Sequence, residues 1–211
     1  MGIAKLDSKL AAYARLLAGW PGLVGRGEEA ELLVEDSLAL LPHLAAAQTL
    51  VDVGSGGGMP GIPLKLARPE LAVTLLEADR RKAAFLVHAA AELGIDVAVV
   101  TDRAEVAGRG VLRESFDVAC CRALAAPAVA CELCLPLVRV GGRLLALTTM
   151  TETDWSAAHV LGGGEAAVAP APTRLRARGA VAIVPKVAPT PAAYPRRAGV
   201  PAKRPLGTTK V

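Results

Sequence analysis

Apolar residues recur along the first segment at Leu6, Leu10, Tyr13, Leu16 and Leu17, while Lys5, Lys9 and Arg15 fall mostly elsewhere. That spacing predicts a helix over residues 4–19 with one buried face. Gly19, Pro21 and Gly22 stop it. A second helix is predicted from Glu28 to Leu41, ending at Pro42, which has no N–H to continue the ladder. From Thr49 the pattern changes to short apolar runs separated by helical stretches. TLVDVG reads as a strand, Gly61 to Arg68 as a helix ended by Pro69, LAVTLLEA as a second strand, Arg80 to Leu93 as a helix and IDVAVVT as a third strand. SFDVACC is a fourth strand, Pro127 to Leu135 a helix and GGRLLALT a fifth strand. AVAIVP, residues 180–185, is expected as a late strand joining the sheet edge antiparallel.

Buried strands alternating with helices predict an α/β, Rossmann-like parallel sheet covered on both faces, with right-handed connections. The run VAPTPAAYPRRAGVPAKRPL carries five prolines and reads as an extended tail. The expected organisation is an N-terminal helical extension over 1–48, a sheet domain over 49–187 and a Pro-rich basic tail over 188–211.

Hydrophobic residues make up 53% of the 211 positions, yet charge or glycine interrupts every apolar run before it could span a bilayer. The first twenty residues lack the apolar centre of a secretory signal. A soluble, cytoplasmic, monomeric protein with no membrane contact is expected, and its four cysteines fit a reducing compartment. The net charge of +4 hides a split: residues 166–211 hold nine basic side chains and no acid, against fifteen basic and twenty acidic before them. Such a split suits either an acidic partner such as nucleic acid or a solvated basic tail.

LVDVGSGGGMPGIP places five glycines in the eight positions from Gly54 to Gly61, directly behind the first strand. Ligands of doubly wound sheets bind where such a turn lets backbone approach them. The dinucleotide spacing G-x-G-x-x-G would need glycine where Met59 stands, and the Lys-Ser/Thr pair of a phosphate loop is missing. Asp52 before the turn would repel phosphate and can engage an amine. Glu77, ending the second strand, can accept both hydroxyls of a ribose. Asp52, Gly54, Gly56 and Glu77 together point to S-adenosylmethionine.

DVGSGGGMPGIPLKLARPELAVTLLEADRRKAAFL resembles the bacterial 16S ribosomal RNA guanine-N7 methyltransferases, also called the glucose-inhibited division protein B family. The glycine turn continues into Met59, Pro60, Gly61, Ile62 and Pro63 as it does in that family. EDSLALLPHL, RAEV, CRALAAPAVACELCLPLVRVGG and APTPAAYPRRAGVPAKRPL extend the likeness over most of the chain. The resemblance implies a class I S-adenosylmethionine-dependent methyltransferase acting on 16S rRNA or the small ribosomal subunit. By position it implies cofactor contacts from Gly54 and Met59, ribose binding by Glu77, and the adenine end near Ala104 and Glu105. Arg122 matches an arginine at the family's cofactor and substrate site, its alternative being a surface salt bridge. The chain departs from the family pattern around Gly22, Leu23 and Val24, at Leu32 and Leu33, at Thr148 and Thr149, and near Arg178 and Gly179.

Methylating guanine N7 removes no proton beforehand, so positioning and electrostatics are expected to supply the rate. The scattered His43, His88 and His159 are read as structural or solvated. Cys131 and Cys134 form C-x-x-C beside Cys120 and Cys121, but adjacent strand residues face opposite ways, so buried small hydrophobes are expected and no metal. Aromatics are 3% of the chain, leaving RNA binding to cations that grip phosphate, with Arg196, Arg197, Lys203 and Arg204 as candidates. Two other readings remain: a paralogue methylating a small molecule, and a non-catalytic RNA-binding or assembly protein that keeps the cofactor pocket.

Overall fold

A computed structural model describes residues 3–25, 27–152 and 154–207, with side chains from Ser8 onward. The side chains of Leu6 and Lys5, and Lys210 in the basic tail, therefore lie outside the described residues.

Helix α1 (Ile3–Gly19) buries Tyr13, Ala14 and Leu17, the face its spacing predicts. Helix α2 (Ala30–Ser37) is shorter than expected and passes into a 3-10 turn over Leu38–His43. The cause is Pro42, whose ring would collide with the Leu38 carbonyl in a continued α-helix. The Ser37 hydroxyl, turned back onto the Leu33 carbonyl at 3.0 Å, marks the change.

Strands β1 (Thr49–Val53), β2 (Ala72–Leu76), β3 (Ala98–Val100), β4 (Phe116–Arg122) and β5 (Val138–Thr149) are parallel. Helices α3 (Gly61–Ala67), α4 (Arg80–Leu93), α5 (Ala104–Ala107) and α6 (Pro127–Cys134) link them. Asp79 starts α4 by accepting the N–H groups of Arg81 and Lys82 at 2.8 and 3.1 Å, and left-handed Gly94 ends it. Strand β7 (Gly179–Pro185) runs antiparallel to β5, as expected, but it is not the edge. An unpredicted strand, β6 (Ala167–Pro170), covers it, giving the order β3-β2-β1-β4-β5-β7-β6. Its sequence, AVAP, is too short and too poor in β-branched residues to announce a strand.

The sheet separates two cores. Leu50, Ile62, Leu75 and Phe85 pack with α1 to α4 on one face, and Val51, Leu76, Cys131 and Leu144 pack with α5 and α6 on the other.

The segment 188–207 is seated on the second face and contains a short helix, α7 (Val200–Lys203), so it is not extended throughout as the prolines suggested. Arginines fix it by taking up its backbone carbonyls. Arg109 Nη2 donates to the Ala193 carbonyl and Arg113 Nη1 to that of Tyr194, both at 2.8 Å. A stretch that cannot enter a sheet ladder still needs partners for its carbonyls, and these guanidinium groups provide them.

No helix among the described residues is long and apolar enough to cross a membrane. Cys121, Cys131 and Cys134 lie in one core and Cys120 in the other, all buried, as the strand alternation predicts. Burial pushes the Cys131 thiol up to about 12. Among the described residues no three His, Cys, Asp or Glu side chains are grouped to hold a metal ion.

Candidate active site

A cleft of about 270 Å³ opens at the C-terminal ends of β1 and β2, and Gly54, Glu77, Ala104 and Glu105 line it. Two requirements at the glycine turn explain its composition. Gly54 has φ +69°, and a Cβ there would stand 2.5 Å from Leu124 Cδ1. At Gly61 a Cβ would lie 2.5 Å from Leu75 Cδ2 and 2.9 Å from Asp52 Oδ2, so α3 could not begin so close to β1 and β2.

The turn is tied to β2 by the N–H groups of Gly54 and Ser55, which share the Leu76 carbonyl at 2.8 and 3.1 Å. Glu77 completes the link. Its Oε2 accepts the Gly56 N–H at 2.7 Å and its Oε1 the Asp79 N–H at 2.8 Å. Each oxygen keeps a second acceptor position, so the carboxylate is aimed by backbone and still able to receive a pair of hydroxyls.

Asp52 lies beneath the turn and does not line the cleft. It is fully buried: Oδ2 accepts the Gly61 N–H at 3.0 Å, and Oδ1 has no hydrogen-bond partner. Burial pushes this carboxyl up to about 7, against the opposing pull of the Gly61 N–H. A buried carboxylate oxygen without a donor favours a cationic ligand nearby and disfavours a phosphate. The cradle therefore fits an aminoacyl sulfonium nucleoside.

On the α5 side of the cleft Ala104 forms wall. Glu105 holds the C-terminal segment, accepting the Gly199 N–H at 2.8 Å. Gly199, Pro201 and Ala202 close that side of the cleft, a contribution sequence reasoning missed because these residues lie almost a hundred positions from α5. Leu124 and Ala125, just past β4, were missed as well; only their position after a strand end could have marked them.

Arg122 is the last residue of β4, not part of a surface loop. Its Nη1 lies 3.5 Å from the sulfur of Met59, which joins two predicted site residues outside the cleft proper. Its Nε stands 3.5 Å from Oδ2 of Asp36, a fully buried carboxylate on α2. Arg176 Nε reaches both Asp36 oxygens at 2.8 and 2.9 Å, and the Thr173 hydroxyl donates to Oδ1 at 2.7 Å. Asp36 was legible as part of EDSLALLPHL but not as the partner of Arg122.

The basic candidates divide. Arg196 donates through Nε to Glu132 Oε1 at 2.8 Å and through Nη2 to Oε2, so its guanidinium is committed to a buried carboxylate. Arg197, Lys203 and Arg204 are exposed on the segment that walls the cleft. None of the three histidines lines the cleft.

The family model for rRNA small subunit methyltransferase G, GidB, matches residues 6–160. The chain belongs to that family. The ribosomal RNA small subunit methyltransferase G of Roseiflexus castenholzii is 48% identical over 164 residues, 74% of this chain and 70% of that one. That of Rubrobacter xylanophilus is 43% identical over an alignment of 218 positions, 94% of this chain and 83% of that one. Among solved structures, the S-adenosylmethionine-dependent methyltransferase SibL superposes with a TM-score of 0.63 at 18% identity, covering 88% of this chain and 69% of that one. The O-methyltransferase TomG of Streptomyces achromogenes, solved with SAM, gives 0.58 at 18% identity, covering 86% of this chain and 91% of that one. The fold is that of the class I S-adenosylmethionine-dependent methyltransferases. Against the family pattern, Leu33 is core, 1% exposed, and Thr148, next to last in β5, is buried.

Proposed function

We propose that this methyltransferase moves a methyl group from S-adenosylmethionine to guanine N7 in the 16S rRNA of the small ribosomal subunit, in the cytoplasm. The observation that carries the reading is the cleft between the glycine turn and the basic C-terminal segment, which opens beside the exposed Arg197, Lys203 and Arg204. When bound, the cofactor supplies a sulfonium methyl that the N7 lone pair can attack without losing a proton.

The residues of the chain then act by placement. Glu77, aligned by Gly56 and Asp79, receives the ribose hydroxyls. Gly54 and Gly56 let backbone approach the cofactor, and Ala104 with the backbone of Glu105 bounds the adenine. Asp52 sets a negative potential beneath the aminoacyl end, and Met59 packs between that end and Arg122. Arg122, steadied by Asp36, backs Met59 at the aminoacyl end. Arg197, Lys203 and Arg204 hold RNA phosphates, which fixes register and orientation but not sequence.

The test is transfer of labelled methyl to small subunits from a strain lacking the activity, with Arg122→Ala as control. Label on one guanine, lost in the control, supports the reading. Absence of label with cofactor binding intact by calorimetry overturns it.

A further inference from the structure

A second cavity of about 210 Å³ adjoins the cofactor cleft, and Leu124 and Ala125 line both. It sits at the C-terminal ends of β4 and β5, one wall away from the proposed methyl donor. Cys121, Ala130 and Ala146 make its apolar floor, and Trp155, 4% exposed, forms a side. Its polar groups are Thr148 and Glu152. The Thr148 hydroxyl donates to Glu152 Oε2. Trp155 Nε1 donates to the Glu152 backbone carbonyl at 3.0 Å, so both ends of this residue are tethered by the cavity's own wall. A carboxylate oxygen accepts more than one hydrogen bond, so Glu152 keeps acceptor capacity beside the cavity.

We propose that this cavity receives the target guanine and that Glu152, steadied by Thr148 and Trp155, reads its Watson–Crick edge. The proposal rests on the methyl-transfer reading above and adds how the base is chosen. Guanine presents N1–H and the N2 amine side by side, two donors that one carboxylate accepts together. Adenine offers an acceptor at N1 and cytosine one at N3, each repelled by the same carboxylate. Uracil has one donor between two carbonyls. Reading that edge leaves N7, on the opposite edge of the bicyclic ring, free of protein donors and available to the neighbouring cleft. A carboxylate where RNA phosphate would otherwise collect also counts against partners that bring no paired donors.

The test compares wild type with Glu152→Gln on two substrates, small subunits lacking the methyl group and the same subunits with adenine in place of the methylated guanine. A glutamine can donate to adenine N1 and accept from its N6 amine, so the ratio of kcat/KM for guanine over adenine is expected to fall tenfold or more. Cofactor affinity by calorimetry and the urea midpoint should stay at their wild-type values. A Glu152→Gln enzyme that loses both substrates in equal proportion, or keeps the wild-type ratio, overturns the assignment of Glu152 while methyl transfer stands. Wild type that methylates no RNA overturns the underlying reading, and this one with it.

Discussion

Arg196 and Glu132 form a two-pronged ion pair in which the carboxylate is fully buried, and the Arg196 backbone N–H adds a third contact at 2.8 Å. The pair fastens the C-terminal segment to α6, and that segment in turn walls the cofactor cleft. An arginine that composition assigns to RNA thus serves to build the site.

Removing this side chain leaves the buried Glu132 carboxylate without its cation and with the backbone N–H alone. Arg196→Ala is expected to lower stability by about 3 kcal/mol, since a broken buried pair costs more than its geometry contributes. Urea unfolding measures the loss. Cofactor affinity should fall with it, because Gly199, Pro201 and Ala202 lose their anchor; unchanged affinity would show that the segment is not needed as a wall.

Arg197, Lys203 and Arg204 should behave in the opposite way. Replacing all three by Ala is expected to flatten the slope of log affinity for 16S rRNA against log salt by about 2, at roughly 0.7 for each phosphate no longer neutralised. Filter binding across a salt series gives the slope. Stability and cofactor affinity should not move.

Asp52 makes stability depend on pH. Its carboxyl titrates at about 7 in the fold against 3.8 for an ordinary aspartate, because burial disfavours the charge. Between those values the folded protein holds a proton that the unfolded chain has released, so the site's contribution falls as pH rises from 4 to 7 and levels off above. At about 1.4 kcal/mol per pH unit the ceiling is about 4 kcal/mol. Asp52→Asn keeps an acceptor for the Gly61 N–H and removes the titration. Relative to wild type its urea midpoint should therefore rise between pH 5 and pH 8; parallel curves would contradict the shift.

Gly54→Ala should separate the two demands on the turn from ordinary packing. A methyl at φ +69° and 2.5 Å from Leu124 Cδ1 is expected to cost about 1–3 kcal/mol of stability and at least tenfold in cofactor affinity. Calorimetry with S-adenosylmethionine reads the second effect; wild-type affinity would place the cofactor away from this turn.

The chain's periodicity was enough for the α/β alternation, the parallel direction of its first five strands and the glycine turn that lines the cleft, because each rests on local pattern and on the rule that glycine turns follow strand ends. Spacing also counted against dinucleotides, since Met59 stands where a third glycine would be needed, and against phosphate loops, whose Lys-Ser/Thr pair is missing. What no local pattern carries is the partner of a charged side chain. Asp36 meets Arg122 and Arg176 only once α2 is laid over the end of β4, and Glu132 meets Arg196 only once the segment after β7 folds back. The same holds for β6, whose four residues gain strand structure only from the ladder β7 offers. For the proline-rich end, sequence correctly excluded sheet and long helix. Its seat was decided by arginines on the turns around α5, because carbonyls left without a ladder are satisfied by whichever donors the tertiary fold brings to them.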